Sequence, residues 1–111
     1  MDAFEKLDEH LSTRMMAYAK MKKSGVKIVG YSMGGHIPEE LIYAAGAVPI
    51  GLGDGGDPEP VTESLSMIPR FECTFCKSQI GYWKLTQSPH YRFPDLFTVE
   101  NCDANSKALA D

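Results

Sequence analysis

The chain has 111 residues and a formal net charge of −4, with 43% hydrophobic and 23% charged residues. That length allows one domain with a modest core, and the composition is that of an ordinary soluble globular protein. The acidic balance leaves no basic stripe to neutralise phosphates, which excludes a general nucleic-acid binder, and no apolar run approaches the length of a membrane span.

Residues 2–24 predict a helix. Phe4, Leu7, Leu11, Met15, Tyr18 and Met21 recur at three- and four-residue steps and form one apolar stripe for the core. Asp2 and Glu5 stand near the positive start of the helix dipole, and Lys20, Lys22 and Lys23 near its negative end, with Gly25 as a natural stop. The lysines therefore read as helix-end cations. The N-terminus is acidic and amphipathic, unlike a secretory signal, so a cytoplasmic location is expected. In a reducing compartment the three cysteines, Cys73, Cys76 and Cys102, are expected to be free, metal-bound or catalytic rather than disulfide-bonded.

Residues 26–29 form a short β-branched run, read as a buried strand, and 30–36 a glycine-bearing turn. Pro38 suits the first helical position, with Glu39 and Glu40 in the first turn. That helix runs to about Ala45 and is capped by Gly46. Residues 47–52 are a second apolar strand, so a right-handed βαβ unit and a parallel sheet follow. Residues 53–60 (GDGGDPEP) read as a solvated loop, because their aspartate spacing does not fit the EF-hand pattern. One or two helical turns are expected within 61–67, a helix over 74–85 with Phe75, Ile80 and Trp83 available for packing, a loop over 86–94, a third strand over 96–99 and a helix from 103 to 110. The fold class is α/β: an N-terminal amphipathic helix (1–25), then an α/β domain (26–111) whose βαβ units build a small, Rossmann-like, incomplete parallel sheet. Open edges on such a sheet are unusual in a complete domain, which predicts an N-terminal portion of a longer protein or one piece of an assembly.

Two motifs carry chemistry. Gly30-Tyr31-Ser32-Met33-Gly34 matches G-x-S-x-G between a strand and a helix, the setting of an α/β-hydrolase nucleophile. Asp54 and Asp57 precede His90, the order a triad needs, and Asp95, a further candidate acid, follows it. Against this, only one helix precedes the motif, Pro38 shortens the helix that should begin after the serine, and nothing places His90 at the end of a late strand. Ser32 reads equally as a turn hydroxyl bonded to nearby backbone. The turn is no phosphate loop, since no Gly-Lys-Ser/Thr follows and Glu39 and Glu40 would repel a phosphate. Gly34 and Gly35 leave the backbone open to a ligand, and His36 is either a ligand contact or a surface histidine.

Cys73-Thr74-Phe75-Cys76 is a C-x-x-C at a helix start. It is compatible with zinc, thiol redox chemistry, an iron–sulfur ligand pair or packing. A zinc site would take Cys73, Cys76 and Cys102 with His90 as the fourth ligand. Cys102 follows the third strand and precedes a helix, so it shares with the turn after the first strand the edge where open α/β sheets place their sites. Helix starts favour thiolates and anionic clusters.

The run GYSMGGHIPEELIYAAGAVP resembles the opening of the 2-hydroxyacyl-CoA dehydratase and benzoyl-CoA reductase family, whose Pro-Glu-Glu-Leu-Ile-Tyr-Ala-Ala-Gly-Ala signature stands here at 38–47. Two further blocks match: Cys73 to Tyr82, with Lys-Ser and a glycine-bearing helix after the cysteine, and Phe97 to Asp103, a strand ending in Cys-Asp. The resemblance covers nearly everything from Val26 onward. It implies an iron–sulfur subunit, most simply with a [4Fe-4S] cluster held by three cysteines and with a double-cubane cluster in a related branch. It also implies a homologous iron–sulfur subunit as dimer partner and an ATP-dependent iron–sulfur activator supplying low-potential electrons. The substrate would be an acyl-CoA thioester that is dehydrated through a ketyl radical anion or reduced. By matching position Cys73 and Cys102 carry over as ligands, Cys76 is an additional candidate ligand, and Ser32 and His36 fall in the substrate-side turn. The third family cysteine lies downstream and has no counterpart here. A non-catalytic electron-transfer module, a small zinc-binding domain and a hydrolase fragment are the alternatives.

Overall fold

The computed structural model describes residues 1–33, 36–86, 88–101 and 104–111. In chain order it contains α1 (Ala3–Lys23), β1 (Ile28–Ser32), α2 (Glu39–Ala44), β2 (Val48–Leu52), α3 (Pro58–Ser64), α4 (Thr74–Leu85), a 3₁₀ turn (Pro89–Arg92), β3 (Leu96–Thr98) and α5 (Ala104–Ala110). The strands form one parallel sheet in the order β2-β1-β3. The α/β class with an N-terminal helix is therefore the fold of the chain.

α1 opens with a reciprocal capping box. Asp2 Oδ1 accepts the Glu5 N–H at 2.9 Å, and Glu5 Oε2 accepts the Asp2 N–H at 2.7 Å. It closes with a Schellman arrangement. The Gly25 N–H reaches Lys22 O and the Val26 N–H reaches Met21 O, both at 3.0 Å, with Gly25 at φ +86°. This corrects the first strand, expected over 26–29. Val26 spends its N–H on the helix end, and the ladder begins at Ile28 and runs on through Ser32. Gly30, Tyr31 and Ser32, assigned above to a turn, are strand residues.

The apolar stripe of α1 is only half used. Tyr18 is buried and Met15 and Met21 pack on the core, whereas Phe4, Leu7 and Leu11 are 79%, 52% and 50% exposed. A helix of 21 residues runs roughly 32 Å, about twice the length of a five-residue strand, so the sheet covers only its C-terminal half. Lys22 Nζ donates to Phe93 O at 2.7 Å and lies 3.4 Å from Asp95 Oδ1. Asp95 Oδ2 accepts the Ile28 N–H at 3.0 Å, and the Asp95 N–H donates to Ile28 O at 2.8 Å. Together these contacts fasten α1, β1 and β3 at the amino end of the sheet.

β1 and β2 run in register from Ile28 opposite Val48 to Ser32 opposite Leu52, with Pro49 opposite Val29. The Val48 N–H donates to Lys27 O, and Leu52 O accepts the Met33 N–H. The even-numbered residues of β2 thus turn their backbone groups towards β1, and Pro49 turns its side of the ladder outward.

α3 corrects the expected loop over 53–60. It starts at Pro58, where a fixed φ and a missing N–H suit the first helical position. α3 and α4 approach so closely that a Cβ on Gly81 would sit 1.9 Å from the Pro60 carbonyl oxygen. The core gathers Tyr18, Ile28, Ile50, Leu52, Tyr82 and Tyr91; of the α4 residues expected to pack, Phe75 and Trp83 are 43% and 42% exposed, Trp83 lying edge-on against Phe97 at 5.5 Å between ring centroids. No described helix is long and apolar enough to cross a membrane.

Candidate functional site

Because all strands are parallel, their carboxyl ends share one edge, where open α/β sheets carry ligands. β1 arrives there at Ser32, β2 at Leu52 and β3 at Thr98. The contacts of the following segments show what they gather. His36, after β1, donates its backbone N–H to the carboxylate of Glu100, after β3, at 3.0 Å, and its Nδ1 lies 3.4 Å from the same oxygen. Asp54, after β2, offers its carbonyl to Ser78 Oγ and Gln79 Nε2, each at 3.0 Å.

The thiols stand at the start of α4. Cys73 is its N-cap, and Cys73 Sγ accepts the Cys76 N–H at 3.3 Å. Cys73 is exposed; Cys76, one turn in, is only 2% exposed. Asn105 of α5 closes over both. Its Oδ1 accepts the Cys73 N–H at 2.9 Å, and its carbonyl accepts the Cys76 S–H at 3.4 Å. Cys102, three positions earlier in the sequence, lies outside the described residues, as do Gly34, Gly35 and Asp103. The donor set suits a soft metal or an iron–sulfur group: both described candidate donor atoms are sulfurs, and the outer one is solvent-accessible at a helix start. Among the described residues no three His, Cys, Asp or Glu side chains are grouped to hold a metal ion, so His90 does not join Cys73 and Cys76.

On the other face of the same helix turn lies a cleft of about 510 Å³, lined by the 53–57 loop with Val61, Thr62, Thr74, Phe75 and Ser78. Helical spacing separates Thr74, Phe75 and Ser78 from Cys73 and Cys76. The loop is fixed from beneath: Tyr82 donates its hydroxyl to Asp57 Oδ2 at 2.5 Å, and Gln79, itself bonded to the Tyr91 hydroxyl, holds Asp54 O. The bond to Asp57, followed by burial, pushes the Tyr82 hydroxyl up to about 12. Burial drives Tyr91 further in the same direction. Tyr31 also rises to about 12, chiefly because its hydroxyl donates to Glu39.

The residues suggested for a hydrolase triad are not brought together. Ser32 ends β1, while Asp95 binds Ile28 at the opposite end of the same strand, roughly 13 Å away by strand rise. Asp57 is engaged by Tyr82, and His90 Nδ1 lies 3.3 Å from Ser88 Oγ in the 3₁₀ turn. Sequence reasoning passed over Asn105 and Glu100. Their signal was positional, since both flank Cys102. It also read 53–57 as solvated, although Ser78, Gln79 and Tyr82 on one helix are polar groups that need acceptors once buried.

The sequence profile described as "2-hydroxyglutaryl-CoA dehydratase, D-component" matches residues 35–110. The chain is also 31% identical over 105 residues to the Escherichia coli (strain K12) protein named "Putative dehydratase subunit YjiM", covering 94% of this chain and 27% of that protein. It thus spans about a quarter of the length of this curated relative. The matched region begins after β1, runs to the end of α5 and includes Cys73, Cys76 and Asn105. On this match the chain belongs to the 2-hydroxyglutaryl-CoA dehydratase D-component family.

Proposed function

We propose that residues 26–111 form the cluster-holding portion of a cytoplasmic iron–sulfur subunit that passes low-potential electrons to an acyl-CoA thioester, with residues 1–25 as a helical extension. The observation that carries this reading is the paired thiol turn at the start of α4, tied to the segment after Cys102, in a chain whose family is a CoA-thioester dehydratase component.

Cys73, Cys102 and Cys76 would hold the cluster, a [4Fe-4S] group or a double cubane. When bound, it supplies single electrons to the thioester, which makes loss of the 2-hydroxyl feasible. The chain's own residues provide the frame. The start of α4 presents Cys73 at the surface, with a backbone N–H already aimed at its sulfur. Glu100 holds the backbone of His36 after β1, which keeps the substrate-side turn against the segment leading to Cys102. Ser32, the last residue of β1, and His36 are the candidate substrate contacts. A homologous iron–sulfur subunit and an ATP-dependent activator are the proposed partners.

Anaerobic purification of the full-length protein, followed by iron, sulfide and zinc analysis, tests the reading. Iron and sulfide should be present together, fall in Cys73→Ala and Cys102→Ala, and stay in Ser32→Ala. Zinc without sulfide would overturn it. Turnover of acyl-CoA thioesters with an ATP-driven reductant then separates a dehydratase or reductase from an electron carrier.

A further inference from the structure

We infer that Asn105 is a positioning residue for the sulfur pair, pegging the first turn of α4 to the chain that follows Cys102; this rests on the cluster-binding reading of those sulfurs. One residue makes both contacts. Its side-chain oxygen accepts the Cys73 N–H at 2.9 Å, and its main-chain oxygen accepts the Cys76 S–H at 3.4 Å.

The two bonds act on different freedoms. The Cys73 N–H belongs to an N-cap residue and has no acceptor inside its own helix. Binding it to Asn105 fixes the Cys73 peptide plane, which leaves rotation about Cα–Cβ as the main freedom of that sulfur. In the metal-free protein the S–H bond seats α5 above Cys76, the sulfur that is almost fully buried; a sulfur that gives up its proton to bind iron loses that bond, and the Cys73 N–H bond to the Asn105 side chain is the one that remains. α5 has seven residues, none of them buried, so these bonds, with Leu109 beside Ile80 and Trp83, contribute to where it sits. An asparagine near a helix start commonly caps its own helix. Here Oδ1 instead reaches across to another one, to the residue pair with the strongest claim to chemistry. Redox ligands need placement to within about half an ångström, and outer residues that orient ligands typically change metal affinity by about 10–100-fold when replaced.

The test compares Asn105→Ala with Asn105→Asp in the full-length protein. Asp keeps a side-chain oxygen at the same reach; Ala removes it. In metal-free protein, iodoacetamide labelling resolved by mass spectrometry should show Cys76 protected in the parent and in Asn105→Asp, and several-fold faster to react in Asn105→Ala. After anaerobic reconstitution, Asn105→Ala should retain iron and sulfide at least about tenfold more weakly, with its thermal midpoint unchanged, while Asn105→Asp stays close to the parent. Parental labelling and retention in Asn105→Ala would overturn the inference, as would equal loss in both variants. If the parent itself takes up no iron or sulfide, the cluster reading falls and the positioning role falls with it, whatever the labelling shows about packing.

Discussion

Asp95 sits between a proline and a leucine in sequence, yet four of its interactions meet at the amino end of the sheet. The Ile28 N–H first, and Lys22 next, hold its carboxyl below the usual 3.8, against the opposing effect of burial. A lowered carboxyl adds stability above its ordinary value and loses that contribution as pH falls through the lowered one. Acid unfolding followed by circular dichroism should therefore find Asp95→Asn less stable than the parent near neutrality, with the two curves converging as pH falls through the lowered value. Tyr82 and Tyr31 work in the opposite range. Each is pushed up to about 12 by a carboxylate acceptor, so the stability each adds is complete below about 10, the unfolded tyrosine value, and is lost as pH rises through 12. Phenolate absorbance should show these two tyrosines ionising late, and Tyr82→Phe should flatten the alkaline loss of stability. None of this was legible residue by residue. Asp95 reads in sequence as one of several acids that could serve a triad, and only the register of β3 on β1 places it opposite the serine end.

At the scale of elements, the periodic signals carried well. The ends of α1 follow from Asp2 and Glu5 at one end and Gly25 at the other, and the βαβ unit from two apolar runs on either side of the helix that Pro38, Glu39 and Glu40 open. Boundaries failed where one backbone group had two possible acceptors. Val26 looks like strand by its β-branched side chain, but its N–H closes the Schellman motif, and β1 slides forward to include Ser32. That slide takes the serine off the turn that a nucleophile would require. The α3–α4 pair makes its own prediction. A methyl group at Gly81 would meet the Pro60 carbonyl at 1.9 Å, and backbone cannot yield as a side chain tip can. Gly81→Ala should cost roughly 3 kcal/mol, the upper end of overpacking effects, measurable in urea unfolding. Its secondary effect should be loosening of the Asp54 loop, which Gln79 and Ser78 of the same helix hold.

For the molecule as a whole, the core sits at one end of α1 and between the sheet and α4. Ile28 is fully buried while Phe4 is mostly exposed. Ile28→Ala should cost about 2–5 kcal/mol, and Phe4→Ser in this 111-residue chain should stay within about 0.5 kcal/mol. The sequence pattern makes Phe4 and Tyr18 equivalent members of one stripe; the short sheet distinguishes them. The candidate site was legible as a place and only in part as a set of contacts. The cysteines and the carboxyl edge follow from order and topology, whereas Asn105 depends on how α5 docks, and no local pattern encodes that.

The outward-facing Pro49 gives the sheet a direction. It costs nothing against β1, because the backbone position it occupies lies on the far side of that ladder. A strand approaching β2 from outside would find an N–H missing at its second residue, the device by which natural edges discourage pairing. β3 contains no proline across Leu96–Thr98 and keeps a donor at every residue. Growth of this sheet, whether by later strands of a longer chain or by a neighbouring molecule, is thus channelled to the β3 side, the side that carries Glu100 and the approach to Cys102.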